Sequence, residues 1–168
     1  MSSKSKSLLF QSVIEDFVKF REWEDEVNTD LEAQTCTLVT GVSLGEYTGG
    51  KLIIEASDKS QIVGVFFYLP FECKVAKRPE IFHLLNEINT RGGIGGYGCF
   101  QLLEEGDDRI RWVHRVDFEG SSPTGKSIEQ MVGPGWERVN AFIEVIHAVA
   151  LTKQSAVEAL AQFDSSES

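Results

Sequence analysis

The chain has 168 residues, 42% apolar and 25% charged, and a formal net charge of -10. That length suits one domain able to bury roughly 68–70% of its unfolded surface, so folding requires neither disulfide nor metal. The acidity argues against nucleic acid and anionic membrane as partners, and the densest basic run, Arg109 to Arg115, is interrupted by Ile110, Trp112, Val113 and His114.

The first element is an amphipathic helix. Phe10, Val13, Ile14, Phe17, Val18 and Phe20 recur at spacings of three and four, and the pattern runs on to about Val27, where Asn28-Thr29-Asp30 ends it. Three strands follow: Thr35 to Val42, Lys51 to Ala56, and Gln61 to Leu69. The turn residues Gly45 to Gly50 and Asp58 to Ser60 lie between them. Such short links imply antiparallel neighbours, because parallel ones need a long crossover.

Pro79 opens a second helix with Ile81, Leu84, Leu85 and Ile88 on its buried stripe, stopped by Gly92 and Gly93. A hairpin comes next, Tyr97 to Glu104 and then Arg109 to Phe118. In its second strand Ile110, Trp112, His114, Val116 and Phe118 point one way and the arginines point mostly to water. A short helical turn at Ser127 to Val132 is expected to break at Gly133-Pro134-Gly135. A stronger helix then carries Trp136, Val139, Phe142, Ile143, Ile146 and Val149, and Ala156 to Phe163 extends it or forms a last short helix. The order α-β-β-β-α-β-β-α is an α+β fold, an antiparallel sheet packed with helices. It forms a single domain over residues 8–162, with loose tails at 1–7 and 163–168.

Cys36, Cys73 and Cys99 are odd in number and far apart, which points to a reducing compartment. No signal-like run and no membrane-length apolar stretch is present, so the expected location is cytoplasmic. His83, His114 and His147 fall on separate elements without metal spacing, and no metal or cofactor is expected. A Cys73–His83 nucleophile pair lacks an identifiable third residue to orient it.

Two glycine motifs suggest phosphate binding. Gly120-Ser-Ser-Pro-Thr-Gly125-Lys126-Ser127 matches the P-loop pattern, which needs a buried parallel strand before it and a long helix after it. Here the strand before has a wet face and the helix after is expected to break within about a turn. Gly93 to Gly98 matches the dinucleotide fingerprint, yet follows a helix and opens a strand, the reverse of the required context. The expectation is therefore no catalysis. A nucleotide-binding enzyme using Gly120, Gly125, Lys126 and Ser127 stands as the alternative.

The third strand departs from the pattern of a half-wet meander. Val63, Val65, Phe67 and Leu69 make one apolar face, and Ile62, Phe66 and Tyr68 make a second. Something must cover it, either a helix of this chain or a partner. Ile53, on the adjacent strand, shares this face by alternation, and Ile53, Ile62, Phe66 and Tyr68 are the candidate protein-binding residues. The acidic first helix would steer a basic partner segment toward them.

The element order, the first helix with Phe17 and Trp23, the aromatic third strand and the run Leu85-Asn86-Glu87-Ile88-Asn89 together resemble the YbjN-like family of bacterial sensory-transduction regulators. That family shares the type III secretion chaperone-like fold and carries a Leu-Asn-x-x-Asn pattern at the end of its middle helix. The resemblance spans about Leu8 to Ala150. It implies a non-enzymatic homodimer that binds another protein, as chaperone or regulator.

Overall fold

The computed structural model describes residues 8–91, 98–104 and 106–166. Helix α1 (Leu9–Phe20) buries Phe10, Val13, Ile14, Phe17 and Val18. It stops well short of Val27. Glu22 takes a left-handed φ of 55°, and the Trp23 N–H returns to the Val18 carbonyl at 3.0 Å. This turn folds Trp23 back edge-on to Phe17, 5.6 Å between ring centroids. Trp23 and Val27 continue the helical spacing of apolar residues, but their burial comes from that reversal. At the other end, Asp58 accepts from the Leu9 and Phe10 amides at 2.6 and 3.0 Å, so a strand-to-strand turn far along the chain caps the helix.

Among the described residues the sheet has six strands, β1 (Asn28–Asp30), β2 (Thr35–Leu44), β3 (Tyr47–Ser57), β4 (Ile62–Glu72), β5 (Cys99–Leu102) and β6 (Arg109–Asp117). Their spatial order is β1-β2-β3-β4-β6-β5, every neighbouring pair antiparallel. A 3-10 turn, Val75–Lys77, leads into α2 (Arg78–Thr90), and α3 (Gly125–Leu151) and α4 (Ala156–Ser166) complete the chain. The expected order is present, with one three-residue strand added between α1 and β2. Part of the expected C-terminal tail is helical, with the Phe163 ring 4.9 Å from that of Phe142. Gly92, Gly93 and most of the Gly93-to-Gly98 motif lie outside the described residues.

The Gly133-Pro134-Gly135 run does not break the helix, because α3 continues through it for 27 residues. Gly135 answers a packing demand. A Cβ on Gly135 would lie 2.5 Å from the Trp112 ring and 3.0 Å from that of Phe67. The helix therefore crosses the sheet at a residue with no side chain, and Trp136 stacks edge-on to Phe67 at 5.6 Å. Arg21 fastens α1 to α3 through two bonds to Glu129, at 2.7 and 2.6 Å, beneath the Trp23 and Trp136 rings. One core unites α1, α3 and the inner sheet residues Leu38, Leu52, Ile54, Val65, Phe67 and Trp112.

Asn89 ends the motif in α2. Its side chain donates to the Phe100 carbonyl at 3.0 Å and accepts from the Phe100 amide at 2.8 Å. β5 is an edge strand, and this amide takes the place of a further strand along its open side.

Candidate protein-binding face

The helices occupy one side of the sheet, and the other side is lined by strands. Strand register places Val39, Ile53, Phe66, Val113 and Cys99 in one row straight across five strands. On one side of this row run Gly41, Lys51, Tyr68, Arg111 and Gln101; on the other run Thr37, Glu55, Gly64 and Arg115. Ile62 lies beyond the second flanking row, opposite Asp117. The four residues singled out from the sequence thus share one face, with Ile53 directly opposite Phe66.

Their surroundings differ. Val39 and Ile62 are 47% and 40% exposed, whereas Phe66 is 3% exposed. No helix among the described residues covers Phe66. Its ring leans over Gly64, where a Cβ would approach to 2.8 Å, and the Arg111 and Arg115 guanidiniums lie 5.1 and 5.5 Å from its centroid. Tyr68 is bracketed likewise by Arg109 at 5.1 Å and Arg111 at 5.8 Å. Two shallow hollows flank this ladder of rings and cations. One, about 460 Å³, is floored by Ile62, Gly64 and Phe66; the other, about 510 Å³, by Val39, Ile53 and Tyr68.

Sequence reasoning missed Val39, Val113 and the arginines. Alternation within β2 was the available signal for Val39. In the sequence the arginines are the wet side of an alternating strand, because their place beside Phe66 depends on β4–β6 register. Helix α1 packs on the opposite side of the sheet, so its acids do not border this face. The bordering charges are Lys51, Arg109, Arg111 and Arg115, with Glu55, Glu72 and Asp117.

The Gly120-to-Ser127 segment is used structurally. The Ser127 hydroxyl accepts from the Thr124 amide at 3.1 Å as part of a capping box. A Cβ on Gly125 would stand 2.8 Å from the Phe17 backbone nitrogen, where α1 crosses the first turn of α3 beside Asp16. The long helix that follows removes one argument against a P-loop, but the antiparallel setting of β6 remains. Magnesium ATP is expected to leave the melting temperature unchanged, and Lys126→Ala to behave as wild type. A nucleotide-dependent rise of several degrees, lost in the variant, would restore the P-loop reading.

The thiols are poorly disposed for nucleophilic work. Burial pushes Cys36 up to about 12, helped by the charges of Asp58 and Glu15, and burial raises Cys73 as well. The Cys73 thiol donates to the Lys74 carbonyl at 3.3 Å, and His83 is exposed on α2. No group of three or more metal-ligating side chains occurs among the described residues. Because the Cys36 thiol ionises near 9.0 when unfolded and near 12 when folded, its contribution is complete below pH 9 and lost as pH climbs toward 12. Stability should fall by about 1.4 kcal/mol per pH unit from this group across that window. Urea unfolding compared at about pH 8 and about pH 10.5 tests this; Cys36→Ala should show the smaller loss, and an equal loss would refute the assignment.

No family model and no curated protein matches the chain. Its structure is similar to a chain in the structure of the HopA1-SchA chaperone-effector complex, with a TM-score of 0.56 and 11% identity, covering 85% of this chain and 99% of that one. It is also similar to a chain of the ExsC-ExsE complex, with a TM-score of 0.57 and 10% identity, covering 87% and 97%. This is the type III secretion chaperone-like fold. No helix among the described residues is long and apolar enough to cross a membrane.

Proposed function

We propose that this chain is a non-enzymatic, chaperone-like or regulatory protein-binding module, working as a homodimer in a reducing cytoplasm. It engages its partner protein through Ile53, Ile62, Phe66 and Tyr68. The observation that carries this is the outer sheet face, where exposed Val39 and Ile62 border two hollows lined by strands and turns alone. Structural neighbours found in chaperone-effector and protein–protein complexes support the same reading. The YbjN-like assignment is supported by the Leu85-to-Asn89 run, whose final asparagine fastens β5.

The test compares capture from the native host by wild type and by Ile53→Asp and Ile62→Asp. A specific partner identified by mass spectrometry should be retained by wild type and lost by both variants, with unaltered thermal unfolding. Retention by both variants would remove this face from the function. Light scattering should give twice 18.7 kDa, and a strict monomer at micromolar concentration would end the dimer proposal.

A further inference from the structure

On a chain with ten excess negative charges, the outer face gathers three arginines of β6, two of which have no carboxylate within ion-pair distance among the described residues. Arg109 is already engaged, bonded to Asp107 at 2.7 and 2.5 Å. Among the described residues Arg111 bonds neutral groups, Gln101 at 3.1 Å and the Tyr68 hydroxyl at 2.9 Å. Among the described residues, no carboxylate lies within ion-pair distance of Arg111 or Arg115. Both are drawn over one ring, Phe66. Stacking uses the face of a guanidinium and not its N–H edge; on Arg111 a carboxylate would take Nη2 or displace the neutral partners now on Nε and Nη1.

We infer that this face takes an extended acidic segment of another protein, with the pattern acidic-x-apolar-x-acidic. The inference rests on the protein-binding reading of the face. Arg111 and Arg115 are four residues apart on one strand, about 13 Å, and an extended segment presents same-side residues about 6.8 Å apart. An occupant lying along β6 therefore sets one carboxylate at Arg111 and a second at Arg115. The residue midway between them meets the apolar row of Ile53, Phe66 and Val113. Glu55 and Asp117 border Arg115, which disfavours a polyanion charged at every unit and favours separate carboxylates.

The probes are a fluorescein-labelled Glu-Ser-Leu-Ser-Glu peptide with glycine-serine flanks, its lysine counterpart, and a single-stranded oligonucleotide competitor, each titrated against the full chain. The acidic peptide should bind, weakening about tenfold or more in Arg111→Gln and Arg115→Gln and with added salt. Glu55→Gln should tighten binding several-fold, a change in the opposite direction that no folding defect produces. Failure of the acidic peptide to bind, or equal binding of the lysine peptide, overturns the inference. So does stronger competition by the oligonucleotide, which would make the face a nucleic-acid surface. So does conversion from dimer to monomer in the arginine variants, which would make it a self-association surface. If the lysine peptide binds and Ile53→Asp abolishes it, acidic selectivity falls while protein binding stands. If both aspartate variants still capture the native partner, the broader reading falls.

Discussion

Gly135→Ala is expected to destabilise the protein by on the order of 3 kcal/mol, although alanine is the better helix former by about 1 kcal/mol. The two effects oppose each other, and packing prevails. The new methyl would stand 2.5 Å from a Trp112 ring atom and 3.0 Å from Phe67, with Trp112 itself fully buried. Neither ring has a flexible end to move aside, so α3 must lift from the sheet or the rings must leave their rotamers. The adjacent Pro134→Ala should move stability the other way, by about 1–3 kcal/mol, because it restores a helical N–H at a position that faces partly to solvent. Urea unfolding of both variants decides the matter. A Gly135→Ala protein as stable as wild type would show that the helix does not ride directly on Trp112.

Asn89→Ala is expected to cost about 1–3 kcal/mol and to loosen β5 in particular. The side chain meets both polar groups of the Phe100 peptide, which face away from β6. With alanine, that donor and acceptor lose their partners on a four-residue edge strand with little other backbone support. Hydrogen exchange should report the change as lost protection at the Phe100 amide, with the β3 and β4 amides affected only through the global drop in stability. Asn89→Asp keeps an acceptor for the Phe100 N–H but sets a carboxylate against the Phe100 carbonyl, so it should not rescue. Unaltered protection at Phe100 in the alanine variant would reduce the asparagine to a surface residue.

The strands were legible because their signals are local. Alternation in Arg109–Asp117 and short turns around Gly45 and Asp58 require no knowledge of distant residues. The two helix errors arise where tertiary demands override local ones. Trp23 and Val27 extend the apolar rhythm of α1 while the backbone reverses at Glu22. Gly-Pro-Gly resembles a break, yet it is the place where a helix must approach Trp112. The second apolar face of β4 was legible as a surplus needing cover. Its actual cover was not, because β4 and β6 pair across an intervening helix and strand, and nothing local shows Arg115 to be Phe66's neighbour. Asn89 was legible as a pattern member, and its bonds to Phe100 depend on the same distant pairing.

The crossing of α3 over the sheet also orders events in time. Synthesis runs from the N-terminus, and all six strands precede Gly125. The rings of Phe67 and Trp112 receive Gly135 and Trp136 from a helix made after the last strand. While a ribosome adds residues 118 to 136, the inner side of a fully synthesised sheet has no helix to cover its centre. The closing step of folding thus belongs to a late segment. The strength of the whole core depends on a helix that the nascent chain does not yet possess when its strands first pair.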